Sequence, residues 1–294
     1  MSRVAVVIPT RNRPEQLARC LGALAAAREQ LPCPVYVGDS STTPELRAAV
    51  DTVCAEHDGV HVRRHALDGY AAARNHVTRA CDGAELLISV DDDVYVEPGA
   101  LAALVAAYDA NADAPWRFVA GTVRWPHGWS EPVHMRPIGY GREVRAGEEG
   151  DFVVSALLLY PRELAERLPW PEAISSSEDR FAGYLWRGAG ARMVFAPEAR
   201  ATHDEHTGGN SLDVAHMADH VYANLFDAAY AHPRPARVLS YELLGVAFGL
   251  KQHRATPWAF ARAWARGNRR FVRDRRRLRA LARTELPAAG PSRQ

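Results

Sequence analysis

Apolar and polar positions along the chain fall into short strands and amphipathic helices in alternation. Val4 to Ile8 is an apolar, β-branched run, and the polar turn Pro9-Thr10-Arg11-Asn12-Arg13-Pro14 behind it is suited to open a helix with Pro14 in its first position. Leu17, Cys20, Leu21 and Leu24 then recur at i, i+3, i+4 and i+7, the spacing of an amphipathic helix. Val35-Tyr36-Val37 predicts a second short strand, ended by the polar turn Gly38 to Pro44, and a helical run follows to about Glu56. Val60 to Arg63 predicts a third strand, and Asp68 to Cys81 opens and completes an Ala-rich helix. Leu86 to Val90 is short, apolar on both faces and bounded by charge, the pattern of a buried strand in a parallel sheet.

Strands alternating with helices at this spacing predict a mostly parallel, Rossmann-like α/β sheet. The polar turns at Thr10, Asp39 and Asp91 then leave from one edge, and the carboxyl edge of such strands is where ligands bind. Asp91-Asp92-Asp93 needs an offsetting partner, because adjacent carboxylates repel. A hard divalent cation is the usual one. A solvated acidic turn capping the helix that starts near Pro98 is the plainer alternative.

The middle of the chain is less regular. Phe118 to Val123 and Phe152 to Tyr160 predict strands, separated by a Trp-, His-, Pro- and Gly-rich connection from Trp125 to Gly150, a length usually found in functional or mobile loops. A short helix from Arg162 to Leu168 precedes Ser175-Ser176-Ser177, a good N-cap for a helix from about Glu178 to Arg187, where the acids suit the helix dipole. Arg192 to Phe195 predicts a last strand, leading through Pro197 to His203 and His206. Helical runs from about Ser211 to Tyr230 and from Leu239 to Gln252 follow.

With 294 residues, 47% of them hydrophobic and 24% charged, the chain is long enough for one large globular domain or a domain with an appendage. No stretch approaches the roughly 20 apolar residues of a membrane span. The sequence runs straight into its first strand without a basic leader and cleavage site, so the cytoplasm is the expected compartment, with the inner face of the membrane as a peripheral option. Cys20, Cys33, Cys54 and Cys81 have no paired spacing, so reduced core thiols are expected rather than disulfides or structural zinc. The net charge of +1 hides an uneven distribution: ten arginines fall between Arg262 and Arg283 against one acid, Asp274. Trp258, Phe260, Trp264, Phe271, Leu278 and Leu281 share one helical face of this basic segment. Such a helix fits an anionic membrane surface or lipid-linked acceptor, and equally packing on its own domain or on a second subunit in a homodimer. No nucleic-acid-binding motif accompanies the arginines.

Five separated segments carry one pattern: Val6-Val7-Ile8-Pro9-Thr10-Arg11-Asn12-Arg13 with Leu17, Cys20 and Leu21; Val37-Gly38-Asp39-Ser40-Ser41; Gly69 to Asn75; Val90-Asp91-Asp92-Asp93; and Glu178-Asp179 with Arg187, Gly190, Pro197 and His203. In this order, across roughly residues 4 to 205, the sequence resembles the family-2 glycosyltransferases of the GT-A fold. The resemblance implies a catalytic domain over residues 1–210, with a nucleotide-sugar-binding half (1–110) and an acceptor-binding half (111–210), and a helical region over 211–294. It implies a metal-dependent inverting glycosyltransferase that moves a sugar from a nucleotide-diphosphate donor to a hydroxyl of a small-molecule, glycan or lipid-linked acceptor.

Residue by residue, the resemblance places Pro9, Thr10 and Arg11 at the nucleoside, Asp39 at the base or ribose, and Arg74 at the base or diphosphate. The family often has a second acid where this chain has Gly38. Asp91 and Asp93 form the DXD pair that, with His203, would hold Mn²⁺ or Mg²⁺ at the donor diphosphate; Asp92 belongs to the donor site but points away from the metal. Asp179 matches the general base, kept ionised by its helix N-terminus. Glu178 would support the helix start or contact the acceptor, and Trp125 and Trp129 would stack on an acceptor sugar or anchor their loop. A retaining transferase and a non-catalytic nucleotide-sugar-binding scaffold of the same fold remain alternatives. A nucleotidyltransferase would need a glycine-rich phosphate loop near the first strand, and Pro9 to Pro14 contains no glycine.

Overall fold

Strand β1 (Val4–Thr10) is buried along its whole length and is flanked on both sides by parallel partners, β2 (Val35–Asp39) and β4 (Leu86–Val90). The computed structural model describes residues 3–66, 69–81, 83–126, 128, 130–136, 138–139, 141–144, 150, 154–174, 176–204 and 214–287. The remaining strands are β3 (Val60–Arg64), β5 (Val94–Val96), β6 (Arg117–Arg124), β7 (Ser130–Glu131), β8 (Val133–Met135), β9 (Gly141–Glu143), β10 (Leu157–Pro161) and β11 (Arg192–His203). The main sheet runs β3-β2-β1-β4-β10-β6-β11-β5, with β7 added to β6, while β8 and β9 form a separate hairpin. β10 is antiparallel to both neighbours and β5 is antiparallel to β11, so six of the eight strands on this path share one direction.

Successive strand residues alternate between two cores. Val6, Ile8, Ile88, Val90 and Leu159 pack with Leu17, Leu21 and Leu24 of α1 (Pro14–Arg28) and with buried residues of α2 (Pro44–Ala55). Val7, Leu87, Leu158 and Tyr160 face the other way, onto the α3 (Tyr70–Ala80) side. Leu101 and Leu104 of α4 (Ala100–Ala110) join the first core; Leu164 of α5 (Arg162–Arg167) and Phe181 and Trp186 of α6 (Glu178–Gly188) join the second. Burial on both faces is why these strands read as unbroken apolar runs, each full-sized side chain contributing about 1.5–3 kcal/mol. All four cysteines are buried in the described core, none of them in a disulfide.

The structure differs from the sequence pattern where elements are too short to carry a period. Phe152 lies outside the described residues, and the strand expected from there starts at Leu157. The connection from Trp125 to Gly150 holds β7, β8 and β9; His127, Trp129 and Tyr140 within it lie outside the described residues. The last strand continues past Phe195 to His203, because a register shift against β6 between Phe195 and Arg200 absorbs Pro197.

The C-terminal helices are α7 (Val214–Phe226), α8 (Pro235–Ser240), α9 (Val246–Gln252) and α10 (Pro257–Leu281), with π-helical turns at Asp227–Ala231 and Tyr241–Gly245. The aromatic face of α10 packs inward: Phe260, Ala263 and Trp264 are buried with Met217, Val221 and Leu225 of α7. Gly267 permits the close crossing, since a Cβ there would lie 2.7 Å from the Ala218 carbonyl oxygen. Tyr222 and Leu278 join the same core as Trp186, so these helices share an interior with the sheet. Of the expected aromatic face, Trp258 alone stands far out, 81% exposed.

Candidate active site

The parallel register of β1 and β2 places Thr10 opposite Asp39, and β4, paired to the other side of β1, ends at Val90, just before Asp91. A turn closed by the Val94 amide donating to the Asp91 carbonyl oxygen (3.1 Å) fans the three carboxylates apart. Asp91 accepts from Arg74 Nη2 at 2.6 Å. Asp92 accepts from Thr10 Oγ1 at 2.7 Å and from Arg13 Nη1 at 3.3 Å. Asp93 accepts from the same Arg13 nitrogen at 2.9 Å and faces His203 Nε2 at 3.5 Å. The repulsion inside the triplet is thus offset by two arginines and a hydroxyl. Burial pushes the Asp92 carboxyl up to about 7, against the pull of the Thr10 hydrogen bond.

His203 arrives through β5. That strand pairs antiparallel with the end of β11, Val94 opposite His203, and the Asp204 amide donates to the Asp93 carbonyl oxygen at 2.8 Å. Asp204 is held in turn by Tyr95 Oη (2.6 Å) and Arg19 (2.7 Å). The imidazole stacks on Trp125 with ring centroids 4.0 Å apart, so Trp125, expected at the acceptor, presents one face to the histidine. His206, the neighbouring alternative, lies outside the described residues.

Arg74 is 1% exposed. Its guanidinium donates to Glu178 Oε1 at 2.7 Å as well as to Asp91 and lies 5.2 Å from the Trp170 ring centroid. Burial alone would lower its pKa, but Asp91 and Glu178 outweigh that and raise it. Arg74, read from the sequence as a donor contact, thus ties the acidic turn to α6, and Glu178, read as supporting the helix start or meeting the acceptor, is its partner at that helix start.

Asp179 follows at the first turn of α6, its Oδ1 accepting from the Arg180 amide at 2.6 Å. The helix terminus does not keep its pKa low. Burial first and the Glu178 charge second push it up to about 7. Ser177 takes the N-cap position with a left-handed backbone (φ 62°), and its hydroxyl makes no capping bond. Ser175 lies outside the described residues, and the Ser176 amide donates to Asp219 of α7 at 3.1 Å.

Asp39 is 1% exposed and closes an Asx-turn, accepting from the Ser41 amide at 2.8 Å, with Arg64 Nε 3.4 Å from its other oxygen. Gly38 has a steric reason: a Cβ there would lie 2.2 Å from Val77 Cγ2, so no second acid fits against α3. Among the described residues no three His, Cys, Asp or Glu side chains converge on a common metal position. The structure brings Asp93 and His203 together and leaves Asp91 with Arg74.

Beside the acidic turn lies a cavity of about 600 Å³, lined by Pro9, Thr10, Arg11, Arg13, Tyr70 and Asp92 from the sheet edge and by Arg266 and Arg270 from α10. The two α10 arginines are the site residues that sequence reasoning missed. Their spacing, i and i+4, marks one helical face, but no sequence signal says which face meets the sheet edge. Arg270 is fixed by Asp219 and by the Ala173 carbonyl oxygen, while Arg266 is exposed at the cavity wall.

A mostly parallel α/β sheet with antiparallel β10 set between β4 and β6, flanked by helices and followed by C-terminal helices, is the GT-A fold of the glycosyltransferases. The sequence matches the family model described as Glycosyl transferase family 2 over residues 5–168, more than half of its length, and the chain belongs to that family. Comparison with curated protein sequences gave no match. Among solved structures, S. aureus TarS 1–349 in complex with UDP-GlcNAc is 18% identical, with TM-score 0.60 over 95% of this chain and 83% of that one. The mannosyltransferase PcManGT from Pyrobaculum calidifontis, in complex with GDP-Man and Mn²⁺, is 21% identical, with TM-score 0.59 over 90% of this chain and 74% of that one. A longer S. aureus TarS structure aligns at 17% identity and TM-score 0.58 over 84% of this chain, which spans 45% of that protein's length. At these identities the likeness is one of fold.

Proposed function

We propose that the protein transfers a glycosyl group from a nucleoside diphosphate sugar to an acceptor hydroxyl with inversion, using Asp179 as general base. The observation that carries the reading is the placement of Asp179 beside the Arg74–Glu178 pair, one salt-bridge network away from the acidic triplet. The solved structures of similar fold with bound nucleotide sugars support it at the level of the donor class.

In this reading the donor diphosphate lies in the arginine-lined cavity, where Arg11, Arg13 and Arg266 offset its charge. Asp179 takes the acceptor proton as the hydroxyl attacks the anomeric carbon from the side opposite the diphosphate. A carboxyl with a pKa near 7 suits this, since it is both ionised and basic enough at neutral pH. Asp93 and His203 fit a Mn²⁺ or Mg²⁺ ion as a carboxylate and imidazole pair, with remaining positions left for diphosphate oxygens and water. Such an ion neutralises charge on the leaving diphosphate when bound.

The test is a panel of UDP, GDP and TDP sugars with Mn²⁺, read by thermal stabilisation and then by NMR of the product linkage. Stabilisation by one donor class and an inverted anomeric centre are expected. No stabilisation by any donor, or retention of configuration, overturns the reading.

A further inference from the structure

From Pro235 to Gln252 the chain runs as nearly one helix, α8, a π-helical turn and α9, and its leucines point outward. The positions that face the protein are Tyr241, Gly245 and Gly249. A Cβ on Gly249 would lie 2.0 Å from the Phe260 ring, and one on Gly245 would lie 3.2 Å from Trp264. Small residues therefore occupy the contact with α10. The opposite side carries Leu239 and Leu243, each 61% exposed, with Leu244 at 58% and Leu250 at 39%; Trp258 follows at the start of α10. Five of the seven large exposed hydrophobics among the described residues lie in this one stretch. Glycine inward and leucine outward is the reverse of what a helix on a water-facing surface needs, and a clustered apolar patch of this kind marks a surface that something covers.

The charges around it say what. Arg234, Lys251, Arg254 and Arg262 are exposed around this segment, and Lys251 is the only lysine of the chain. The one acid between Arg234 and Arg262 is Glu242, which accepts from Trp264 Nε1 at 3.0 Å. A second copy docking here about a two-fold axis would set cations against cations. Lysine is also depleted from protein interfaces, whereas a leucine face with a tryptophan and a cationic rim matches the apolar and anionic layers of a lipid surface. We propose that the α8–α9 face, with Trp258, docks peripherally on an anionic lipid bilayer. No helix among the described residues is long and apolar enough to cross one. The contact lies on different residues from the aromatic α10 face, because Phe260 and Trp264 are spent on α7.

The test is co-sedimentation of the full chain with phosphatidylcholine vesicles, with and without phosphatidylglycerol. Binding is expected to the phosphatidylglycerol vesicles and to fall with salt. The triple variant Leu239→Ser/Leu243→Ser/Leu250→Ser and the charge variant Lys251→Glu/Arg254→Glu should each bind about ten-fold more weakly or less. Val272→Ser, at an exposed apolar position elsewhere on α10, should bind as the parent does. Far-UV circular dichroism and a melting curve confirm that each variant is folded. No binding to the anionic vesicles overturns the proposal, as does undiminished binding by the folded triple variant. A concentration-dependent dimer that the triple variant abolishes assigns the face to a second copy and overturns it too.

Discussion

Arg74 and Glu178 stand 104 positions apart in sequence, and their side chains meet at 2.7 Å inside the protein. Because Arg74 also holds Asp91, one guanidinium joins the acidic turn behind β4 to the helix that carries Asp179. The relative placement of the acidic turn and Asp179, the donor edge and base of the proposed reaction, therefore depends on a residue that need touch neither substrate.

Arg74→Ala should destabilise the protein by about 3–5 kcal/mol, since it leaves Glu178 buried without its partner. Urea unfolding measures this. Arg74→Lys should recover only part of the loss, because one ammonium cannot reproduce the fork to two carboxylates. A loss of under about 1 kcal/mol for the alanine variant would show that the pair is not the joint described here.

Asp179→Asn should abolish transfer while leaving nucleoside diphosphate affinity within about two-fold, as expected for a group that acts only on the acceptor proton. The same substitution should stabilise the protein above neutral pH. The folded carboxyl titrates near 7, above its unfolded value, so it favours folding below about pH 4 and that contribution is lost as pH rises through 7. Melting curves at pH 5 and pH 8.5 should show the variant gaining on the parent between the two, by roughly 2–3 kcal/mol. In the parent enzyme the transfer rate should climb across this range as Asp179 ionises. A flat profile would remove Asp179 from the base role.

Arg266→Ala should raise the donor KM about ten-fold with little change in kcat, the loss of one charge-assisted contact to a phosphate. Arg269→Ala, an exposed neighbour on the same helix and outside the cavity lining, is the control for general charge. Calorimetry with UDP or GDP separates affinity from turnover, and equal affinities for the two variants would place Arg266 outside the donor site.

Mn²⁺ is expected to stabilise the parent against melting, and Asp93→Asn and His203→Ala should each remove that gain, a readout independent of activity. Asp92→Asn should be mild, because a carboxyl titrating near 7 is already part neutral and the amide oxygen still accepts from Thr10. Asp92→Ala should not be mild, since it strands the Thr10 hydroxyl. Full Mn²⁺ stabilisation in the His203→Ala variant would detach that histidine from the ion.

The long, doubly buried strands and the helices between them were readable because their apolar positions repeat. β1, β2 and β4 carry that signal, and with it came the shared edge of Thr10, Asp39 and Asp91. β5, three residues long inside the acidic turn, carries none, although it is what delivers His203 to Asp93. The antiparallel insertion of β10 between β4 and β6 likewise depends on tertiary pairing alone. Asp91, Arg74 and Glu178 were all picked out as site residues, but partners 17 and 104 positions from Arg74 cannot be matched by spacing. On α10, Phe260, Trp264 and Phe271 of the expected aromatic face do share a side while Trp258 leaves it, and the destination of that side against α7 and the arrival of Arg266 at the cavity needed the packed structure.

The antiparallel clip between β5 and β11 also dates the site in the life of the chain. Asp93 and His203 are held together by a pairing whose partners are more than a hundred residues apart, and closing so long a loop is a slow, late event in folding. During synthesis the segment that bears the family signature, residues 5–168, emerges with its acidic turn but without His203 or the Asp179 helix. The nascent chain thus carries the acidic turn before His203 and the Asp179 helix exist, so the Asp93–His203 cluster cannot close until synthesis has passed residue 203.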